Sequence, residues 1–160
     1  MTDYAFRPMS AADLPTIRRW LETPHVAQWW HDPSDQFELV SGDLGHPDMA
    51  QYIVATEERE FAYLQSYTLS AWNTGFGPQP EGARGLDQFI GEADMLCRGH
   101  GSAFVRTFAD RLLASGTPRV VTDPDPANTR AIHAYEKAGF RHDKVVDTPD
   151  GPALLMVRDR

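Results

Sequence analysis

The chain has 160 residues, of which 41% are hydrophobic and 24% are charged. It can therefore bury a sizeable core as one domain over residues 1–160, and disorder of the whole chain is disfavoured. Acidic residues outnumber basic ones by 23 to 15, and the net charge of -8 argues against nucleic acid or an anionic membrane as a partner. The single cysteine, Cys97, excludes an intrachain disulfide and a multi-cysteine metal site. Because the sequence shows neither a signal-peptide pattern nor a membrane-spanning apolar run, we expect a cytoplasmic protein.

The first part of the chain is predicted to be one strand followed by three helices. Residues 4–9 read as the strand. Helix start signals occur at Ser10, Thr23 and Asp32, the latter two each followed by proline at the first helical position. These signals predict helices over residues 11–21, 24–30 and 33–44.

The middle and late parts of the chain alternate between strands and helices. Strands are predicted at residues 50–56, 61–69, within 86–96, at 119–122, 140–146 and 153–157; helices at 99–115 and 125–138; and a glycine- and proline-rich loop at 73–85. Gly139 is the expected left-handed residue after the late helix. A turn at residues 149–152 joins the last two strands. The order predicts a mixed α/β (α+β) domain.

A glycine turn lies where a strand meets the helix at residues 99–115. Gly99 and Gly101 allow close approach of a ligand, and the first N–H groups of a helix attract anions. A pyrophosphate bound there would be held by backbone amides, with Arg98 adding a charge-assisted contact. The alternative is a tight turn that uses glycine only for packing.

Two other classes of site fit the sequence poorly. A dinucleotide-binding turn needs a third glycine, whereas Gly101 is followed at that spacing by Phe104, and no Walker A motif is present. The six histidines lack metal-ligand spacing, so we predict no metal.

Two segments of the chain resemble the GNAT acyl-CoA-dependent N-acetyltransferases. One is the turn from Arg98 to Ser102, and the other is the late helix, where Asn128, Ala131, Tyr135, Lys137 and Gly139-Phe140 match the family pattern. The early motif departs at its first position, where Leu96 stands in place of Arg or Gln.

Further blocks resemble one branch of that family, the aminoglycoside 6′-N-acetyltransferases. They lie at residues 24–30, 65–67, 84–91, 122–124 and 148–153 and together span almost the whole chain. The loop at residues 73–83 matches that branch poorly, so the resemblance specifies the reaction class better than the amine.

The resemblance implies a GNAT fold, a twisted mixed sheet flanked by helices, in which acyl-CoA enters where two strands splay. It also implies that the acetyl group passes directly from acetyl-CoA to a primary amine, through a tetrahedral intermediate. Asp87 is the candidate base, although it can instead only bind the ammonium group. Tyr135 is the candidate acid for the departing thiolate, although its ring can instead be a packing residue.

The remaining site residues are carried over from the resemblance. The expected cofactor-binding residues are Met95, Leu96, Cys97, Arg98, Gly99, His100, Gly101, Ser102, Asn128, Ala131, Tyr135 and Lys137. The expected substrate-binding residues are Trp29, Trp30, Gln65, Tyr67, Asp87, Asp123 and Asp150. Asn128 can also cap its helix, Asp150 can be only a turn former, and one of the two tryptophans can belong to the core.

Acetylation of the 6′-amine of an aminoglycoside, conferring antibiotic resistance, is therefore the leading functional hypothesis. A siderophore-precursor lysine, a polyamine or a protein N-terminus is the alternative substrate, and a non-catalytic binder of cationic drugs or acyl-CoA is the alternative of another class. The expected partner is a small-molecule cationic amine substrate, and the sequence does not indicate an oligomeric state. We further predict that Asp87, Asp123, Asp150 and Glu81 face one pocket, which would concentrate the acidic charge where a polycation docks.

Overall fold

The computed structural model of the protein describes residues 2–160 and has a mixed α/β fold. Seven strands form a mixed sheet in the order β1-β2-β3-β4-β5-β7-β6. The strands are β1 (Ala5–Pro8), β2 (Met49–Ala55), β3 (Glu60–Thr68), β4 (Arg84–Ile90), β5 (Arg119–Thr122), β6 (Arg141–Thr148) and β7 (Gly151–Asp159). The helices are α1 (Leu14–Leu21), α2 (Pro24–Trp30), α3 (Pro33–Gly42), α4 (His100–Ala114) and α5 (Thr129–Lys137). Every strand and helix predicted from the sequence is present.

The chain divides into two compact units. The first contains the residues up to Ser66 together with Gln88–Arg98, and the second contains Tyr67–Asp87 and Gly99–Arg160. The prediction of a single domain over residues 1–160 stays a prediction.

The first unit is built on helices α1, α2 and α3. Its core contains Met9, Ile17, Trp20, Leu21, Val26, Val40, Ile53, Tyr63 and Phe89, all of them buried. The helix predicted at residues 11–21 begins with a short 3-10 turn at Ala11–Asp13, and the α-helix follows from Leu14. Asp32 caps α3 as predicted, because its carboxylate accepts hydrogen bonds from the N–H groups of Ser34 and Asp35.

In the second unit, two of the predicted element boundaries are wrong. Gly85 was predicted to lie in the loop, but it lies inside β4, where it pairs with Val121. The helix predicted from residue 125 begins at Thr129, because the Asp125 side chain accepts the Ala127 N–H in a local turn that precedes the helix. Gly139 ends this helix as predicted, in the left-handed region at φ +98°.

Strands β4 and β5 are parallel and pair over only two positions, Arg84 with Val120 and Gly85 with Val121. Strand β4 continues beyond this pair, whereas β5 ends at Thr122. The pairing is therefore lost towards the carboxyl ends of both strands, which is the splay that the family resemblance implies. Within residues 2–160, no helix is long and apolar enough to cross a membrane.

Gly91 provides a test of packing in the first unit. A Cβ atom at this position would lie 2.1 Å from Cγ of Trp20, which is 1% exposed. Because neither the ring nor the backbone has room to move, we expect Gly91→Ala to destabilise the protein by about 1–3 kcal/mol. Urea unfolding followed by tryptophan fluorescence measures this difference.

Gly42→Ala is the matched control for that variant. Gly42 is the last residue of α3, and a Cβ atom there meets nothing within 4 Å. Its replacement should leave stability unchanged or raise it by about 0.5–1 kcal/mol. Equal stability of the Gly91 and Gly42 variants would contradict the packing argument.

Candidate active site

The turn before α4 has the backbone shape of an anion-binding site. Cys97 and Gly99 both adopt positive φ, +59° and +81°. Gly99 is the N-cap of α4 without a side-chain cap, and Ala103 N–H makes the first intrahelical hydrogen bond, to Gly99 O at 3.2 Å. The preceding amides of the first turn point out of the helix end, where the helix dipole favours negative charge.

The surroundings of this turn fit a pyrophosphate. A Cβ atom at Gly99 would meet nothing within 4 Å, so there is space beside the backbone. Arg98 and Cys97 are exposed, whereas Met95 is buried and Leu96 is half-buried. The predicted contacts of a pyrophosphate with the Arg98 side chain and with the amides of the residues from Gly99 to Ser102 stay predictions. The Ser102 hydroxyl also donates to Gly99 O at 3.2 Å.

Helix α5 carries the other predicted cofactor residues. Asn128 caps it, with Oδ1 accepting the N–H of Ala131 at 3.2 Å. Tyr135 is 4% exposed, and its ring packs on Phe140 with the ring centroids 5.6 Å apart, so the tyrosine is a packing residue whatever else it does. The carbonyl of Lys137 accepts a hydrogen bond of 2.6 Å from Arg106. The cofactor contacts of these residues stay predictions.

Two of the predicted carboxylates meet at the splay. Asp87 lies two residues beyond Gly85 on β4, and Asp123 lies two residues beyond Val121, the partner of Gly85 on β5. Asp87 is still within β4, whereas Asp123 follows the last residue of β5, so both residues lie just beyond the paired part of the two strands. Asp87 raises the pKa of Asp123, so the two carboxyl groups are close enough to influence each other.

The turn between β6 and β7 brings a third carboxylate, Asp150, close enough to act on Asp123. This turn is fixed locally, because the Thr148 hydroxyl donates to Gly151 O at 2.7 Å and accepts the N–H of Asp150 at 3.2 Å. Pro124 O accepts the N–H of Leu154 at 2.9 Å, which fixes the segment after β5 on β7. Asp150 is thus a turn residue, as the sequence suggested, and it also forms an acidic cluster with Asp87 and Asp123.

The other carboxylates of the acidic cluster shift the pKa of Asp123. Burial, the charge and hydrogen bond of Asp87, and the charge of Asp150 together raise the pKa of Asp123 to about 8. Burial raises the pKa of Tyr67 well above its ordinary value, and the neighbouring Asp87 and Asp123 raise it further.

Tyr67 lies on the same sheet face as the carboxylate pair. A Cβ atom at Gly85 would lie 2.2 Å from Cζ of Tyr67, so the phenol ring covers Gly85 directly. Trp72 supports the ring from the side in an edge-on arrangement, with the centroids 5.6 Å apart. Sequence reasoning missed both Gly85 and Trp72 as site residues. A glycine inside a strand was the available signal, because it marks close approach of another group.

Gly85→Ala is expected to displace the Tyr67 ring and lower both stability and activity, because the ring is buried and the new methyl group would overlap it. The overlap disappears when the ring is removed. In a double-mutant cycle, Gly85→Ala should therefore cost less in a Tyr67→Ala background by about 0.5–3 kcal/mol. Additive effects in thermal or urea unfolding would exclude this contact as the reason for the glycine.

The remaining predicted substrate residues belong to the first unit. Trp30 packs edge-on against Phe89, with ring centroids 5.1 Å apart, so it is the tryptophan that contributes to the core. Trp29 is half-buried. Gln65 Oε1 accepts the Tyr63 hydroxyl at 2.7 Å, and that hydroxyl in turn accepts Nε2 of the buried Gln51 at 3.1 Å. Participation of Trp29, Trp30 and Gln65 in substrate binding stays a prediction.

The loop at residues 73–83 is anchored within the second unit. Phe76 is 2% exposed, and Gln79 Oε1 accepts a hydrogen bond of 3.2 Å from Arg119. Gly75 lies so close to β6 that a Cβ atom would be 2.6 Å from the carbonyl oxygen of Asp147. Glu81 is exposed, and its predicted place beside the three aspartates stays untested.

The second unit therefore holds three carboxylates together with two tyrosines, Tyr67 and Tyr135. Asp87 and Asp150 raise the pKa of Asp123, and Asp87, Asp123 and Tyr135 raise that of Tyr67. Such a cluster can bind a cationic amine and move protons. Among residues 2–160, no group of three or more His, Cys, Asp or Glu side chains is arranged to hold a metal ion.

Comparisons with known proteins agree with this chemistry. The sequence profile of the acetyltransferase (GNAT) domain family matches residues 10–148. An aminoglycoside N(6')-acetyltransferase type 1 from Klebsiella pneumoniae is 33% identical over an alignment of 164 residues, covering 96% of this chain and 82% of that protein. A kanamycin resistance protein from Rhizobium radiobacter is 45% identical over 80 residues, 49% of this chain and 74% of that protein. The crystal structure of aminoglycoside acetyltransferase AAC(6')-Ib with coenzyme A and kanamycin is 34% identical, with a TM-score of 0.88 and coverage of 99% of this chain and 95% of that chain.

Proposed function

The chain belongs to the GNAT acetyltransferase family, and on that premise we propose that it transfers the acetyl group of acetyl-CoA to the 6′-amine of an aminoglycoside antibiotic. The relatives that support the substrate class are an aminoglycoside N(6')-acetyltransferase and a structure that contains both coenzyme A and kanamycin. The product is an N-acetylated drug, so the expected biological result is resistance. The enzyme would act in the cytoplasm, on a small cationic substrate and without a metal.

The observation that carries this proposal is the cluster of Asp87, Asp123 and Asp150 beside the strand splay. A polycation can form charge pairs with several carboxylates at once, and each pair adds to the binding free energy. Each unit charge pair at 4 Å contributes roughly 1 kcal/mol in water and about 4 kcal/mol at an effective dielectric constant of 20. An amine with a single positive charge would draw less binding energy from the same cluster, which favours an aminoglycoside over a single lysine side chain.

In this proposal the amine attacks the thioester carbonyl carbon directly. Asp87 accepts a proton from the ammonium group, because the amine must be neutral in order to attack. The new C–N bond forms first and gives a tetrahedral intermediate, and the C–S bond breaks when that intermediate collapses to the amide. Tyr135 donates its phenolic proton to the departing sulfur of coenzyme A. Backbone amides near Met95 to Cys97 would hold the pantetheine chain and support the developing oxyanion.

The anion-binding turn before α4 supplies the other half of the proposal. The amides from Gly99 onward and the side chain of Arg98 would hold the diphosphate of acetyl-CoA. Cys97 is free and exposed, and the proposed direct transfer assigns it no covalent role.

The test is release of coenzyme A from acetyl-CoA across a panel of amines. Kanamycin, tobramycin and gentamicin should be turned over with higher kcat/KM than lysine derivatives, spermidine or a peptide N-terminus. Mass and NMR analysis of the kanamycin product should place the acetyl group on the 6′-nitrogen. Absence of turnover with every aminoglycoside, in a protein that still binds acetyl-CoA, would overturn the proposal.

A further inference from the structure

The sequence block at residues 24–30 contains a histidine that the transfer reaction leaves without a role. His25 is the second residue of α2 and is half-buried. Its Nε2 atom lies 2.8 Å from the carbonyl oxygen of Ile90, the last residue of β4, and it donates this hydrogen bond because a carbonyl oxygen only accepts. We propose that His25 is a positioning residue for acetyl-CoA, which holds the end of β4 extended through this hydrogen bond. The inference rests on the acetyl-CoA half of the proposed function and is independent of the amine.

The carbonyl of Ile90 lies on the edge of β4 that is opposite β3. The N–H of Gly91 belongs to the same peptide group and donates to the oxygen of Phe61 on β3 at 2.8 Å. Among residues 2–160 no peptide bond is cis, so the Ile90 carbonyl points away from β3. The neighbour of β4 on that side in the sheet order is β5, and β4 pairs with it only at Arg84 and Gly85. His25 therefore provides the hydrogen bond that a neighbouring strand provides elsewhere in a sheet.

The core of the first unit fixes the helix that carries His25. Val26, the next residue of α2, is 2% exposed and belongs to that core. The Thr23 hydroxyl before the helix donates to the carbonyl oxygen of Trp20 on α1 at 2.6 Å. The Trp20 ring in turn covers Gly91, the residue that follows Ile90. Helices α1 and α2 thus hold two consecutive residues at the end of β4, so the position of the ring of residue 25 is not free to vary.

The end of β4 matters for the cofactor because the family resemblance places the entry of acyl-CoA beside this strand. The pantetheine arm of coenzyme A carries amide groups, and an extended chain with amides binds a strand edge best when that edge is already extended. A strand end without a neighbouring strand opens more readily than a paired one. Without the His25 donor, acetyl-CoA would have to order this edge as it binds, so its affinity should fall. Asp87 and Tyr135, the groups proposed to move protons, belong to the second unit, so kcat should change little.

The first test locates the hydrogen on the His25 ring in the ligand-free wild type. NMR spectra that correlate the ring nitrogens with the carbon-bound ring hydrogens distinguish the two tautomers of a neutral histidine. The signals of His25 are identified by their absence from the spectrum of His25→Gln. We expect the hydrogen to be on Nε2. A neutral ring with the hydrogen on Nδ1 would overturn the proposal, because Nε2 would then be an acceptor that faces the Ile90 carbonyl, another acceptor.

The second test removes the donor and then restores it. His25→Phe keeps a ring but has no donor, whereas His25→Gln has an amide N–H at a similar distance from the backbone. His25→Phe should raise both the Kd for acetyl-CoA in calorimetry and its KM by about 5–10-fold, the effect of one hydrogen bond. The kcat and the KM for the amine should change by less than about 2-fold. His25→Gln should restore most of the affinity for acetyl-CoA.

Two further variants complete this test. His25→Asn has an amide that is one methylene shorter than that of glutamine, so it should lose affinity for acetyl-CoA as His25→Phe does, and it replaces that variant if the phenylalanine protein does not fold. His142→Phe is the matched control, because His142 is exposed on β6 and its ring is 3.5 Å from the Glu136 carboxylate, a surface pair of small energy. It should bind acetyl-CoA as the wild type does. An equal Kd for the wild type, His25→Phe and His25→Asn, or an equal rise in His25→Gln, would overturn the proposal.

The binding measurement also separates positioning from a purely structural role and from the proposed function. If His25 only anchors α2 to the sheet, urea unfolding will show lower stability while the Kd of the folded variants stays unchanged, which would overturn the proposal. Calorimetry with acetyl-CoA needs no amine, so it decides the role of His25 even if no aminoglycoside is acetylated. A protein that acetylates kanamycin and whose His25 variants bind acetyl-CoA normally retains the proposed function and loses this inference. A wild type that does not bind acetyl-CoA would overturn both.

Discussion

Asp87→Asn is expected to lower kcat for kanamycin by about 10²–10⁴-fold at pH 7, because the amide cannot accept the proton of the attacking amine. The substitution keeps the size and shape of the side chain on β4, so the fold should be preserved. Raising the pH should restore part of the lost rate, because a growing fraction of the amine is neutral without a base. Steady-state kinetics from pH 6 to 9, with kcat and KM determined separately, measures both effects.

The control for Asp87→Asn is Asp48→Asn. Asp48 is a half-buried residue in the segment before β2, where its backbone N–H donates to His46 Nδ1 at 3.0 Å. Its replacement should change neither kcat nor KM. If Asp87→Asn raises KM alone, with kcat unchanged at every pH, Asp87 only binds the ammonium group and another group is the base.

Tyr135→Phe is expected to lower kcat by roughly 10²-fold, because the departing thiolate loses its proton donor. The ring of residue 135 packs on Phe140, and phenylalanine keeps that contact, so stability and KM should change little. A thioester whose leaving group has a low pKa needs no proton donor. The rate of Tyr135→Phe with an activated aryl thioacetate should therefore approach that of the wild type.

Tyr4→Phe is the control for the loss of a phenol hydroxyl outside the proposed site. Tyr4 also lies beside a phenylalanine ring, that of Phe61, with the ring centroids 6.3 Å apart. It should retain wild-type activity with both thioesters. An unchanged kcat for Tyr135→Phe with acetyl-CoA would remove the acid role and leave Tyr135 as a packing residue of α5.

Local signals predicted the elements well where they act within a few residues. Proline after Thr23 and Asp32 marked the starts of α2 and α3, and Gly139 marked the end of α5. The start of α5 was placed four residues too early, because the turn formed by Asp125 before the helix has the same composition as a first helical turn. The family motifs identified the reaction class through residue types at fixed spacing.

The site was predicted less completely, because its members are distant in sequence. The motifs predict Asp87, Asp123 and Asp150 as neighbours in one pocket, yet no sequence pattern indicates that Asp123 is buried and that the other two raise its pKa. Gly85 was assigned to a loop, since a glycine following residues 73–83 has the composition of that loop. Only the contact with Tyr67 shows why a strand needs glycine at this position.

The sequence by itself determined the family, the order of strands and helices, and the residue types that acetyl transfer needs. These features depend on local propensity and on motifs read along the chain. The titration of the acidic residues follows from the tertiary structure, because the chain brings Asp87 and Asp150, which are distant in sequence, close enough to raise the pKa of the buried Asp123. The composition shows only that acidic residues are in excess. Burial and repulsion between neighbouring carboxylates, which raise the pKa of Asp123, depend on the folded arrangement of the chain.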